Sequence, residues 1–201
     1  MKRIGIMGGT FNPIHNGHLA LAKVALEEFA LDKVIFIPSG TPPHKRHQEV
    51  IDKEDRYQMV KLAINKIKGF EASRIELERP GFSYAVDTFS DLRKKCGKAC
   101  KLFYIMGLDS ISEILDWKKP LELFKLCEFI VGTRPGTKIR TFKRLVKFPP
   151  VQQEVDKIHL MELNENISAS EIRERVKAGR SVKKIVPRVV ESYIGRHKLY
   201  T

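Results

Sequence analysis

A chain of 201 residues, 42% hydrophobic and 30% charged, has the make-up of one folded domain and excludes wholesale disorder, and no apolar run approaches the roughly 20 residues of a membrane span. Met1–Gly9 turns to glycine too early for a signal-peptide core, and Cys96, Cys100 and Cys127 are too few for a disulfide framework, so a cytoplasmic protein is expected. The formal net charge is +13, of which +9 falls in residues 134–201; it favours an anionic partner without choosing among nucleic acid, phosphorylated metabolite and acidic lipid, and a solvated lysine-rich surface accounts for it equally.

Lys2–Met7 reads as a short strand ending at Gly8-Gly9. Gly17–Phe29 repeats Leu19, Ala22, Leu26 and Phe29 at helical spacing, and Val34–Ile37, halted by Pro38, reads as a strand buried on both faces. Residues 2–38 therefore form a strand–helix–strand unit. After a Pro/His/basic loop over Ser39–Val50, Asp52 caps a predicted helix to about Ile67, with Tyr57, Val60, Leu62 and Ile64 among its apolar positions. A strand is predicted over Phe70–Leu77 and a helix over Tyr84–Cys96, capped by Ser83. Leu102–Met106 and Phe129–Val131 are two more buried strands, separated by short helices over Asp109–Leu115 and Pro120–Leu126. Arg140–Val146 reads as a short helix and Ile158–Met161 as the last strand. Ser168–Lys177 is a helix with Ser168 and Glu171 as a capping box and Gly179 as its stop; Pro187–His197 closes the chain. This alternation predicts an α/β fold, a doubly wound, mostly parallel, Rossmann-like sheet, in a single domain over residues 1–201 with a helical C-terminal part from about 165.

The richest segment, Gly8-Gly9-Thr10-Phe11-Asn12-Pro13-Ile14-His15-Asn16-Gly17-His18, lies at the carboxyl end of the first strand, where a parallel sheet places its ligand. Two glycines admit a phosphate close to the backbone, and the following helix start offers N–H groups to an anion. The spacing matches neither the dinucleotide fingerprint nor the P-loop. His15 and His18, three apart at a helix start, face one volume and suit donation to a phosphate; the plainer reading is one capping and one packed histidine. No carboxylate or cysteine cluster completes a metal set beside them.

Other segments divide between chemistry and architecture. Pro42-Pro43-His44-Lys45-Arg46-His47 is either an arm that brings Lys45 to phosphates or an exposed loop. Ile167–Arg173 sets Ser168, Ser170 and Arg173 at a helix start; capping explains Ser168 and Glu171 but leaves Ser170 and Arg173 over. Asp109, after Gly107, binds a ribose hydroxyl or a metal-bound water, or only caps a helix, and Trp117 either stacks on an aromatic ring or packs.

Gly8–His18 resembles the G-G-T-F-D-P-x-H-x-G-H signature of the nucleotidyltransferase superfamily with the (H/T)-x-G-H motif, and Ile167–Arg173 resembles its I-S-x-[ST]-x-I-R partner. Within that superfamily the chain is similar to the bacterial nicotinate-nucleotide adenylyltransferase family: Pro42–Lys45, Phe82–Thr88, Ile105–Ser110, Trp117 and Arg134-Pro135-Gly136 all fit, over essentially the whole chain. Asn12 stands where the family usually has Asp, keeping shape and losing a charge, and Ser170 replaces the commoner Thr.

The resemblance implies transfer of the adenylyl group of ATP to nicotinate mononucleotide, with Mg2+ held mainly through the ATP phosphates and not by protein side chains. It implies catalytic roles for His15, His18, Lys45 and Arg173 and an ATP side formed by Gly8, Gly9, Thr10, Phe11, Gly107, Asp109, Ser168 and Ser170. Ser39, Lys45, Thr88, Trp117 and Arg134 fall on the nicotinate-nucleotide side. ATP and nicotinate mononucleotide are then the partners, with no nucleic acid and no membrane, and the oligomeric state, a homodimer among the options, is open. Three rivals stand beside this reading: a phosphopantetheine adenylyltransferase, which usually carries Thr in place of His15; a cytidylyltransferase, which fits Phe82–Thr88 less well; and a basic nucleic-acid-binding protein, for which no aromatic–basic signature is present.

Overall fold

The structure, a computed structural model, describes residues 1–43, 50–133, 152–163 and 167–201, apart from the Lys98 side chain. Six strands form one sheet: β1 (Lys2–Gly9), β2 (Lys33–Pro38), β3 (Phe70–Ala72), β4 (Cys100–Gly107), β5 (Glu128–Thr133) and β6 (Ile158–Glu162). Every pairing is parallel and the order is β3-β2-β1-β4-β5-β6. The helices are α1 (Asn16–Glu28), α2 (Lys53–Ile64), α3 (Ala85–Cys96), α4 (Leu108–Ser112), α5 (Pro120–Leu126), α6 (Ala169–Lys177) and α7 (Arg188–Arg196).

The near-continuous apolar strands are explained by cover on both faces. Met7, Phe36, Phe103 and Ile105 pack beneath α1, α2, α6 and α7, through Leu21, Ala22, Met59, Val60, Ile172 and Val190. Ile4, Ile6, Leu102, Tyr104 and Val131 pack on the opposite face against Phe89, Ile111, Leu123 and Phe124 of α3, α4 and α5. The chain runs outward from β1 to β3, then returns to β4 on the other side of β1. That reversal opens a crevice at the carboxyl ends of β1 and β4, the place where doubly wound sheets bind ligands.

Several elements differ from expectation. β3 ends at Ala72, not Leu77: Ser73 N–H still reaches Phe36 O at 2.9 Å, but β2 stops at Pro38 and the segment turns away, burying Glu76 and Leu77. α2 buries Arg56, Met59, Val60 and Ile64, while Leu62 is exposed. Ser83 does not cap α3; its Oγ accepts the Gly40 N–H at 2.9 Å. Ser168 caps α6 by accepting the Glu171 N–H at 3.1 Å, whereas the Glu171 carboxylate accepts from Arg175 Nε at 2.9 Å. The helix predicted over Arg140–Val146 lies outside the described residues.

Candidate active site

A cavity of about 350 Å³ occupies the crevice. It is lined by the end of β1 and the following turn, from Met7 to Asn12, by His18 and Ser39, by Tyr104, Gly107, Ser110 and Trp117, and by Ala169 of α6.

The histidine pair takes its geometry from the start of α1. His15 is the N-cap residue, and its backbone N–H donates to His18 Nδ1 at 3.2 Å. The two rings stack with centroids 3.7 Å apart. Gly17 permits this, because a Cβ there would lie 3.2 Å from His15 Nδ1 and 3.7 Å from the Ile167 Cβ. With Nδ1 of His18 accepting, the proton of the neutral ring sits on Nε2, which makes that atom a donor. Phe11, held at φ 48°, braces His18 edge to face at 5.1 Å. The two histidines are chemically unequal. His18 lines the cavity, whereas His15 is buried, and burial pushes its imidazole down to about 4, so it is neutral at pH 7.

The turn after β1 is held from behind. Arg173 Nη1 donates to Asn12 O at 2.9 Å, and its Nη2 donates to Ser170 Oγ at 3.1 Å. Asn12 Oδ1 accepts the Tyr200 hydroxyl at 2.9 Å. Arg56, 1% exposed, donates to Thr10 O at 2.7 Å, to Gly40 O at 3.1 Å and to Ile51 O at 3.1 Å. Burial lowers its affinity for a proton without threatening its charge.

The opposite end of the cavity is aromatic and carries one buried carboxylate. Trp117 is half-buried, 6.0 Å from the Tyr104 ring, and Tyr104 also packs on Phe89 at 4.8 Å. Glu76 accepts the Thr88 hydroxyl at 2.6 Å, and burial raises its carboxyl above the usual range. Thr88 in turn accepts from Arg79 Nη1 at 3.0 Å. Lys118 stands at the rim, bonded to Asp87 at 2.9 Å and 4.4 Å over the Tyr84 ring. Ser39 Oγ is buried at the wall and has no hydrogen-bond partner among the described residues.

The residues singled out in the sequence are therefore distributed as follows. Gly8, Gly9, Thr10, Phe11, His18, Ser39, Gly107 and Trp117 share the cavity. His15 and Arg173 support its walls. Ser168 and Ser170 are exposed beside it, and the residue of that helix start that reaches the cavity is Ala169. Asp109 is exposed on the first turn of α4, with Ser110 as the neighbouring wall residue. Thr88 is buried behind Glu76 and does not line the cavity. Lys45 and Arg134 lie outside the described residues.

Four further residues build the site without belonging to any motif of the sequence: Arg56, Glu76, Tyr104 and Tyr200. Arg56 had a signal, since it occupies the buried face of α2 with Met59, Val60 and Ile64 at three, four and eight residues on. Glu76, between Ile75 and Leu77, had only a weak one, and Tyr104 and Tyr200 had none.

Comparison with known proteins agrees with this architecture. Residues 6–175 match the family model described as "Cytidylyltransferase-like". A "Probable nicotinate-nucleotide adenylyltransferase" of Moorella thermoacetica is 47% identical over 199 residues, covering 98% of this chain and 91% of that protein. One of the same description from a Thermoanaerobacter species is 43% identical over 207 residues, covering 98% and 94%. Among solved structures, the Plasmodium falciparum nicotinic acid mononucleotide adenylyltransferase complexed with NaAD superposes with a TM-score of 0.78 at 19% identity, over 100% of this chain and 98% of that one. At that identity it speaks for the fold. With the sheet order, the crevice and the full-length likeness together, the chain belongs to the cytidylyltransferase-like nucleotidyltransferases and, within them, to the nicotinate-nucleotide adenylyltransferase family.

Proposed function

We propose that the chain transfers the adenylyl group of ATP to nicotinate mononucleotide, releasing pyrophosphate and forming deamido-NAD. The observation that carries this reading is His18: its Nδ1 is engaged by the His15 N–H, and its ring stands in a cavity floored by the Gly8–Gly9 end of β1. The attacking atom is a phosphate oxygen, already ionised at neutral pH, so no side-chain base is required. Catalysis then reduces to alignment and to stabilising charge on the transferred phosphoryl group and the leaving pyrophosphate.

His18 Nε2–H serves as a donor to that group. Neutral His15 holds the His18 ring through its backbone N–H and its stacked face, and so supplies geometry rather than charge. Arg173 spends two of its five donors on Asn12 and Ser170, which aims the rest of a permanent cation along the same turn. Lys45 is assigned to the phosphates by resemblance alone. ATP takes the β1 turn with Gly8, Gly9, Thr10 and Phe11; the acceptor takes the Ser39, Tyr104 and Trp117 end, where the Ser39 hydroxyl, without a partner among the described residues, is suited to a substrate oxygen.

Among the described residues no group of three His, Cys, Asp or Glu side chains is placed to hold a metal ion, and Glu76 is the one carboxylate on the cavity wall. Those residues do not form a magnesium site of their own. Magnesium bound through the ATP phosphates is what the family resemblance implies.

The test is pyrophosphate release by the purified protein with ATP and magnesium. Nicotinate mononucleotide, nicotinamide mononucleotide and phosphopantetheine are compared as acceptors. Turnover of the nicotinate nucleotide and none of phosphopantetheine is expected; robust turnover of phosphopantetheine overturns the assignment. The acid is expected to exceed the amide in kcat/KM. A carboxylate only accepts hydrogen bonds, and each one to a charged group is worth about 1.5–3 kcal/mol, giving roughly tenfold discrimination for one weak bond and over about ten-thousandfold for two strong ones. Equal values would mean a dual-specificity enzyme.

A further inference from the structure

The turn that follows β1 and the loop that follows β2 are separate in sequence, and Arg56 touches both. It reaches Thr10 O through Nη1, Gly40 O through Nη2 and Ile51 O, just ahead of its own helix, through Nε. At 1% exposure it is the bulkiest of the fully buried side chains among the described residues, and the acceptors of these three hydrogen bonds are all carbonyls. A guanidinium is a planar fork, so three carbonyls satisfied at once fix the relative position of the three segments that carry them.

Both touched segments are restrained on their other sides. Gly40 N–H donates to Ser83 Oγ at 2.9 Å, and a Cβ on Gly40 would lie 2.4 Å from Glu76 O. Ser39 N–H donates to Gly9 O at 2.9 Å. On the β1 side, Asn12 is held through its carbonyl by Arg173 and through its side chain by Tyr200. The carbonyls of Thr10 and Asn12 are thus taken up by side chains outside the cavity, while residues 8–12 line it.

We propose that Arg56 is a positioning residue, a single buried side chain that sets the ATP-side turn at Thr10 and the acceptor-side loop at Ser39–Gly40 in one mutual geometry. The assignment of the two sides rests on the proposed adenylyl transfer; the mechanical link does not. In-line transfer between two bound nucleotides depends on the distance between their subsites, and a displacement of about 1 Å costs on the order of 100-fold in rate. Arg56 touches neither subsite's interior and acts through backbone alone.

Two variants and two readouts test this. Arg56→Gln removes the fork; Arg56→Lys keeps the charge and the stem but presents a single ammonium in place of a planar fork, and so keeps a folded protein in hand if the first variant fails to fold. Kinetics are measured with ATP and nicotinate mononucleotide at a temperature well below each variant's melting point. Amide exchange at Ser39 and Gly40 is measured on the unliganded protein, with Val34 of β2 as the internal reference. In Arg56→Lys we expect kcat to fall about 100-fold, KM to rise for both substrates, and the Ser39 and Gly40 amides to exchange at least about tenfold faster while Val34 is unchanged. Wild-type kcat and KM in a folded Arg56→Lys protein overturn the proposal, as does faster exchange spread evenly over Val34 and the loop, which marks a general loss of stability. If the wild-type protein releases no pyrophosphate, the adenylyl-transfer reading fails; the exchange result still decides the link between the loops.

Discussion

At the scale of single residues, the two histidines of one short motif are separated in role by a few ångströms of burial. His18→Ala removes a donor proposed to strengthen only as charge develops, so kcat should fall about 100- to 1000-fold with little change in ATP affinity. Single-turnover kinetics beside equilibrium ATP binding checks this, and an unchanged kcat makes His18 a packing residue. His15 carries a pH signature instead. Its folded value of about 4 lies below its ordinary 6.5, so the unfolded chain binds a proton at that ring first. Its contribution is therefore complete above about pH 6.5 and is lost as pH falls toward about 4, amounting to about 3 kcal/mol at most. Denaturant midpoints taken between pH 7 and 4 should fall more steeply for the wild-type protein than for His15→Gln. Parallel curves would mean that the His15 ring takes up a proton as readily in the folded protein as in the unfolded chain.

At the scale of elements, the site is built where strand ends meet segments that only tertiary packing brings there. The Gly40 backbone passes so close to Glu76 O that a methyl group has nowhere to go, and the atom it meets is backbone, not a pliable side chain. Gly40→Ala should cost about 1–3 kcal/mol of stability, read by chemical denaturation; a neutral substitution would show that the two loops separate freely. Trp117 follows the short turn after α4 and faces Tyr104. Trp117→Ala should raise KM for the nicotinate nucleotide about fivefold, near 1 kcal/mol, and that for ATP by less. Equal changes in both constants would place Trp117 in the core alone.

At the scale of the whole molecule, a chain of net charge +13 is proposed to accept two anionic nucleotides. A net field of this sign raises the encounter rate of both substrates and does so less as salt screens it. Raising ionic strength from about 10 to 200 mM should lower kcat/KM for ATP and for either pyridine nucleotide by similar factors while leaving kcat nearly constant. A salt effect confined to the acid acceptor would point to a local cation such as Lys118, which already stands at the cavity rim paired with Asp87.

The amino-acid order alone determined the parts whose signals are local. The apolar runs of β1, β2, β4 and β5 read as buried strands because both faces are covered, and the Gly8–His18 turn and the Ser168 cap read directly because each lies within one short segment with its own hydrogen-bonding logic. Tertiary structure decided which polar groups are buried and what they meet. The family resemblance places Thr88 on the nicotinate-nucleotide side, and in the fold its hydroxyl donates to the buried Glu76. A charge in a helix reads as solvent-facing until carbonyls from other segments converge on it, as those of Thr10, Gly40 and Ile51 do on Arg56. The placement of β4 beside β1, with Tyr104 abreast of Ile6 and Trp117 beyond, follows from the order of strands across the sheet. Strand order depends on which faces pair over long separations, a property of the folded chain that no local pattern carries.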